Sequence, residues 1–405
     1  MIFRIIFGIK MKKRIYLDNG ATTRVNDKVL KEMIPYFSEY YGNASSLHTS
    51  GIISDEAMKK SRNIIAKAIN AWSDEEIIFT SSGTESNNFA IKGIALSPKN
   101  KGKHIITTKI EHDSVLNTCK WLETMGYRVT YLNVDKYGLI NLEELKNSIK
   151  SDTILVSVIH GNNEIGTIQD IESIGKICRE KNVIFHIDAC QSFTKKEIDI
   201  RKINIDMITI NAHKIHGPKG VGALYLRKGV EIASLLHGGG QEFKLRSGTS
   251  NIPGIVGFGK SVEVAMHDFQ KNNEKMVKLR DDMINRLLKI PNTMLNGAIG
   301  EKRLCNNINV TFDFVEGEAI LMHLDTMGIE ISTGSACSSK SLKPSHVLTS
   351  IGVIDNKAHG SIRITLSKYT TKKEIDFAVK KIVEVVAILR KISPLSMGKL
   401  KNNIK

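Results

Sequence analysis

Long apolar runs are the first thing this chain lacks. Residues 1–10 alternate apolar and basic side chains, are far too short to cross a bilayer and carry no small-residue cleavage site, which argues against a membrane span or a secretory signal. They read as an extension or a misplaced start ahead of Met11-Lys12-Lys13, with a membrane-surface or targeting role as the lesser reading. Cysteine is scarce as well. The five present are widely spaced and form no C-x-x-C pair, so neither a zinc site nor a disulfide framework is expected, and a reducing cytoplasm fits. Internal repeats and low-complexity tracts are missing. Aromatic residues do not interleave with basic clusters. The net charge of +16, scattered over residues such as Lys59, Lys60, Arg62 and Lys67, therefore reads as solvated helix faces and not as a nucleic-acid site, while an acidic partner stays open.

What remains is an ordinary globular chain of 405 residues, 41% hydrophobic, long enough to bury one large core and a smaller one. Short apolar runs at 77–80, 104–107, 129–132, 153–159, 183–187, 207–210 and 222–226 predict buried strands. Segments of helical period at 85–94, 115–125, 142–150 and 171–181 fall between several of them. Strands alternating with helices predict an α/β fold whose mostly parallel sheet is covered on both faces. From about residue 260 the pattern changes. Helices are expected at 260–271 and 274–289, strands at 308–312 and 361–366, and a last helix from Lys373, which describes a second, smaller α+β domain. In open sheets of this kind ligands sit beyond the carboxyl ends of the strands, so the residues just after each strand are where chemistry is sought.

Those residues are polar and reactive. Ser81-Ser82-Gly83-Thr84-Glu85-Ser86 follows the first strand and opens a helix, whose free N–H groups and dipole favour an anion. A capping box of Ser82 with Glu85 accounts for the same residues without a ligand. Asp188-Ala189-Cys190-Gln191 follows one strand and Asn211-Ala212-His213-Lys214 another. An acid and a lysine so placed suit pyridoxal 5'-phosphate, Lys214 forming a Schiff base and Asp188 keeping the pyridine nitrogen protonated, whereas Lys214 taken alone reads as a surface lysine. His112, after the strand at 104–107, can stack on the ring and move protons, or serve as a structural histidine. Cys337 stands in Ser332-Thr333-Gly334-Ser335-Ala336-Cys337-Ser338-Ser339-Lys340-Ser341, a run of small or polar residues that predicts a mobile loop and an accessible thiol, either reactive or a bystander.

These signals coincide with one family's pattern. Tyr16-Leu17-Asp18-Asn19-Gly20-Ala21-Thr22-Thr23, Phe79-Thr80-Ser81-Ser82-Gly83-Thr84-Glu85-Ser86-Asn87-Asn88, Asn162-Asn163-Glu164-Ile165-Gly166, His213-Lys214-Ile215-His216-Gly217-Pro218-Lys219-Gly220, Gly238-Gly239-Gly240-Gln241-Glu242 and Arg246-Ser247-Gly248-Thr249 closely resemble the pyridoxal-phosphate-dependent cysteine desulfurases of the class V aminotransferase family. The resemblance runs from about Ile15 to Ser393, and around Cys337 it is to the long-loop branch that serves iron–sulfur cluster assembly and tRNA thiolation. It implies a fold-type I transferase, a cytoplasmic homodimer without a metal site. A large cofactor-binding domain would span 24–269 around a mostly parallel seven-stranded sheet. Residues 1–23 and 270–405 would form the small domain, with the catalytic-cysteine loop at 331–345.

The resemblance also implies roles. Lys214 would form the Schiff base, Asp188 pair with the pyridinium and His112 stack on the ring, while Gln191 bonds the phenolic oxygen. Gly83, Thr84, Asn211 and His213 would contact the phosphate, and Thr249 would reach it from the neighbouring subunit. Asn163, also against the cofactor, and Arg363 would hold the substrate carboxylate; an arginine fork suits that task, although Arg363 alone reads as a surface charge on an edge strand. Cys337 would take sulfur from L-cysteine as a persulfide, leaving L-alanine, and pass it to an iron–sulfur scaffold or a sulfur-carrier protein. Cys119, Cys178, Cys190 and Cys305 are expected to be structural, with Cys190 close to the cofactor. The chain departs from the family at Asn211, where serine is common, at Asn43-Ala44-Ser45, which lacks a proline, and at Phe243-Lys244, which replaces a more usual Arg-Gly pair. The basic tail 393–405 is a docking element or a solvated end. A selenocysteine lyase or an aminotransferase would keep Lys214 and Asp188, but an aminotransferase needs no loop thiol; an idle sulfur-assembly scaffold or RNA-binding protein would use the basic surface alone.

Overall fold

The structure, a computed structural model, describes residues 14–333 and 344–393; the start segment, the loop with Cys337 and the basic tail lie outside the described residues. The chain forms two units, one comprising residues 22–272 and 297–304, the other residues up to 21, 273–296 and from 305 on. Among the described residues no helix is long and apolar enough to cross a membrane.

The large unit contains helix α1 (Thr49–Ala68), β1 (Ile77–Thr80), α2 (Gly83–Ala95), β2 (His104–Thr108), α3 (Asp113–Thr124), β3 (Arg128–Leu132), α4 (Leu142–Ser148), β4 (Thr153–Ile159), α5 (Ile171–Glu180), β5 (Ile184–Asp188), β6 (Met207–Asn211), β7 (Gly222–Leu226) and α6 (Ile252–His267). The strands make one seven-stranded sheet in the order β1-β7-β6-β5-β4-β2-β3, in which β7 alone runs antiparallel to its neighbours. Successive residues of a strand face opposite sides, and the core divides accordingly. Ile77, Phe79, Ile106, Val156, Ile208 and Tyr225 pack with Ile65 of α1, Ile174 of α5 and Phe258 of α6. Ile78, Ile105, Leu155, Met207 and Leu224 pack on the other side with Phe89 and Ile91 of α2 and with Val115 and Leu122 of α3. Both faces being dry explains why these strands read as continuous apolar runs. Because β1 runs in the same direction as β6, the segments after β1, β2, β4, β5 and β6 all leave from one end of the sheet.

The small unit contains most of α7 (Phe269–Leu287), then β8 (Thr293–Leu295), β9 (Asn307–Phe312), α8 (Gly317–Thr326), β10 (Ser332–Thr333), β11 (Ser361–Thr365) and α9 (Lys372–Ile392). Its antiparallel sheet has the order β10-β11-β9-β8. Leu17, Met283, Val310, Phe312, Ile362, Ile364, Ile382 and Val386 form its core. Arg363 is thus on an interior strand and 2% exposed, which removes the edge-strand reading. Its guanidinium bonds Asp18 at 2.9 Å within the same unit.

Two local expectations are corrected. Arg62 is 4% exposed and lies on the buried side of α1, not on a solvated face. The burial was not visible because the inner side of this helix, capped by His48, is made of Gly51, Ser54, Ser61 and Arg62 as well as Ile65 and Ala66, which weakens the apolar period. Helix α6 begins at Ile252, ahead of the expected 260, because Asn251 caps it through the N–H of Gly254 (3.1 Å) and a proline occupies its first turn.

Candidate active site

Five strand ends in the large unit supply most of the predicted residues. Asp188 is the last residue of β5 and 3% exposed. One carboxylate oxygen accepts the backbone N–H of Cys190 (2.9 Å) and the other accepts Asn87 Nδ2 (2.7 Å). The same Asn87 nitrogen donates to Ser114 Oγ (2.9 Å), and Ser114 Oγ lies 2.8 Å from His112 Nδ1. Ser114 also donates its backbone N–H to that Nδ1 (3.1 Å). Since an N–H can only donate, Nδ1 is an acceptor, and the neutral ring of His112 carries its proton on Nε2. Sequence reasoning missed Asn87 and Ser114. The single available signal was that Asn87 falls in the Ser81–Asn88 block and Ser114 two residues after His112; the bond from Asn87 to Asp188 joins positions 101 apart.

Lys214 lies in the turn after β6, where Ala212 O accepts the N–H groups of Ile215 (3.0 Å) and Gly217 (2.9 Å). Gly217 has no alternative there, because a Cβ would come within 2.8 Å of that of Ala212. Lys195 ties this turn to the one holding Gln191, its Nζ donating to the backbone oxygens of Gln191 (2.9 Å) and Lys214 (3.4 Å). His213 bonds Thr22 Oγ1 through Nδ1 (3.2 Å). Burial and then the nearby Lys214, Lys219 and Lys195 lower its pKa to about 4, so it is neutral at physiological pH. Asn163 follows β4 in a turn whose Asn162 donates to Ile110 O (2.8 Å), next to Glu111 and His112.

The cofactor implied by the resemblance can be tested against this arrangement. Helix α2 begins at the buried Gly83, where a Cβ would fall 2.5 Å from Cys190 Sγ and 3.1 Å from Asn211 Nδ2, so only glycine lets these side chains pack against the start of the helix. Asn211 is 4% exposed and its amide oxygen has no hydrogen-bond partner among the described residues. The donor that fits an oxyanion at this helix amino terminus is the Asn211 Nδ2, which lies beside Gly83, and Asp188 fits a ring nitrogen. Cys190 packs between them. Burial, followed by Asp188, raises its pKa far above the thiol range, which makes it a thiol and not a nucleophile. Cys119 and Cys178 are raised to about 12 by burial, and Cys305 donates to Asn273 Oδ1. The expected capping box is half made. Ser82 Oγ accepts the N–H of Glu85 (3.1 Å), but the Glu85 carboxylate caps Ser81 N (2.9 Å) and not Ser82.

Behind the cluster lies Glu111, wholly buried, accepting from Thr108 Oγ1 (2.7 Å) and Ile159 N (2.9 Å). Burial outweighs these bonds, and with Asp188 nearby it lifts the pKa from 4.5 to about 8. The folded chain therefore holds this proton where the unfolded chain releases it, so stability falls as pH rises from about 4.5 to about 8. Glu111→Gln is expected to flatten this slope: urea unfolding at a series of pH values should find variant and parent alike at the acid end and the variant more stable at the alkaline end.

The segment at the departure Phe243-Lys244 is strained and pinned. Glu242, Phe243 and Lys244 have φ of 48°, 58° and 66°, the left-handed region that side chains avoid. Glu242 is buried and accepts a two-pronged bond from Arg62 (2.8 and 2.8 Å) together with the N–H of Phe79 (2.8 Å). The Arg62 guanidinium also packs against the rings of Phe79 (4.7 Å) and Phe243 (5.1 Å). Phe243 thus returns some of the cost of its backbone, whereas Lys244, 66° in φ and exposed, has no such offset. Lys244→Gly should stabilise the fold by about 1 kcal/mol, measured by urea denaturation. Beyond this segment Thr249 is exposed. Arg363 belongs to the small unit, and Cys337 lies outside the described residues.

Residues 15–377 match the family Aminotransferase class-V. The cysteine desulfurase IscS of Methanosarcina thermophila is 51% identical over 384 residues, 95% of each chain. A solved NifS-like protein is 42% identical with a TM-score of 0.87, covering 93% of this chain and 100% of its own. The solved "SspA in complex with cysteine" is 40% identical with a TM-score of 0.77, covering 88% and 100%. With lysine, acid and histidine gathered at the strand ends, the chain belongs to the class V aminotransferase family, among its pyridoxal-phosphate-dependent cysteine desulfurases.

Proposed function

We infer that the protein removes sulfur from free L-cysteine, releases L-alanine and holds the sulfur on Cys337 as a persulfide for iron–sulfur cluster assembly, with tRNA thiolation as a second outlet. The observation that carries this reading is the hydrogen-bonded chain Asp188–Asn87–Ser114–His112 in the strand-end cluster that includes Lys214. Pyridoxal 5'-phosphate, when bound, supplies an electron sink for the pair left at the substrate α-carbon. Lys214 would anchor the cofactor and take up the α-proton, and Asp188 would keep the ring nitrogen protonated. His112, with its proton on Nε2, would stack on the ring and pass a proton on the substrate side. Gln191 would bond the phenolic oxygen. Gly83, Thr84, Asn211 and His213 would hold the phosphate, joined by Thr249 from the second subunit of a homodimer.

Asn163 and Arg363 would take the substrate carboxylate. The Cys337 thiolate would attack the substrate sulfur, an S–S bond forming as the C–S bond breaks and its electron pair leaves with carbon. The small, hydroxyl-rich run around Cys337 suits a residue that must load sulfur at one place and deliver it at another. Delivery in the cytoplasm to an iron–sulfur scaffold or a sulfur-carrier protein completes the reading. Its test is product analysis. The cofactor-loaded protein, given L-cysteine and a thiol reductant, should yield alanine and sulfide in equal amounts; amino-group transfer to a keto acid, or no alanine, would overturn it.

A further inference from the structure

Glu85 poses a problem for the phosphate site just described. It occupies the first turn of α2, beside Gly83 and Thr84, where a carboxylate favours the helix but repels a phosphate dianion. The structure answers with Arg246. Its guanidinium forks onto Glu85, Nε to Oε1 at 2.8 Å and Nη2 to Oε2 at 3.2 Å, and both side chains are about four-fifths buried, with 21% and 19% exposed. The paired carboxylate also accepts from the backbone N–H (2.9 Å) and the hydroxyl of Ser81. Burial alone would raise the pKa of Glu85, but the bonds to Arg246 and Ser81 bring it below the ordinary range, so it is charged and needs its partner.

Arg246 is itself held in place. It follows the strained run of Glu242, Phe243 and Lys244, which Arg62 clamps through Glu242. Lys244 N–H returns to Gly240 O (3.0 Å) and Leu245 N–H to Glu242 O (3.0 Å), so the fork arrives on a fixed backbone.

We propose that Arg246 is a positioning residue for the cofactor phosphate: by pairing with Glu85 it cancels the one negative charge in the first turn of α2 and holds that turn open to an oxyanion. The proposal rests on the phosphate site placed at Gly83 and Thr84 in the reading above. Losing Arg246 would leave Glu85 charged, partly buried and close to the phosphate. An aldehyde cofactor without a phosphate would not sense that charge.

The apoprotein titrated with pyridoxal 5'-phosphate and with pyridoxal, followed by thermal denaturation and by the visible absorbance of the bound aldehyde, separates these cases. The parent should prefer the phosphorylated form. Arg246→Gln should reduce that preference about tenfold, consistent with the weight of a charge-assisted bond at a partly exposed site, while pyridoxal binding stays within about twofold. Adding Glu85→Gln to Arg246→Gln should recover most of the preference, because no unpaired charge then remains. Equal weakening of both ligands by Arg246→Gln, or no recovery in the double variant, would overturn the proposal and leave Arg246 a brace of the fold. A parent without any preference for the phosphorylated form would instead overturn the phosphate site itself.

Discussion

Lys214→Ala should fold, fail to retain the cofactor covalently and form alanine from L-cysteine at least about a thousandfold more slowly than the parent. The magnitude follows from the two tasks assigned to one amine. A positioned acid or base alone contributes about 10²–10⁴-fold, and the covalent link that holds the cofactor is lost with it. Folding should survive because the turn is built from main-chain bonds that alanine keeps. Ala212 O still accepts from Ile215 and Gly217, and His213 O still accepts from Thr23 N (2.9 Å) and its hydroxyl (2.9 Å). Alanine release measured beside the visible spectrum and the melting temperature separates chemistry from stability. A variant that still turns over would return Lys214 to the surface-lysine reading.

Asp188→Asn should be nearly as damaging while leaving the site assembled. The carboxylate is 3% exposed and takes two neutral donors, Asn87 Nδ2 and Cys190 N–H; on the proposed reading its charge would pair with the cofactor's cationic ring nitrogen. Glu111, neutral when its pKa is about 8, does not compete for that cation. Breaking a buried ion pair costs about 3–5 kcal/mol, which corresponds to a loss of about 10²–10⁴-fold in turnover. The amide keeps an oxygen for one donor, so cofactor should still bind; the expected result is a coloured protein with slow alanine release. Full activity would show that the ring nitrogen does not depend on Asp188.

The seven strands were legible because both faces of the large sheet are dry, and runs such as Ile77-Ile78-Phe79 serve two cores at once. The placement of the candidate site residues was legible because Asp188, Asn211 and His112 stand at or just beyond strand ends. What stayed hidden depends on partners far away in the chain. Arg62 looks like any basic residue of a helix until Glu242, 180 residues later, is found in its fork. Asn87 is one amide among several in its block until its nitrogen is seen bridging Asp188 and Ser114. Neither hydrophobic period nor capping chemistry carries such information, since both are local. Phe243 and Lys244 were visible as a departure, but their left-handed backbone and the stacking on Arg62 were not.

The central claim is that Cys337 receives the substrate's sulfur. The protein, loaded with cofactor and mixed with limiting L-cysteine in the absence of reductant, can be digested after alkylation and its cysteine peptides weighed. The account predicts that the peptide containing Cys337 alone gains one sulfur atom, in proportion to the alanine released. Alanine released with the added sulfur on Cys190 or another cysteine, or on none, would contradict it.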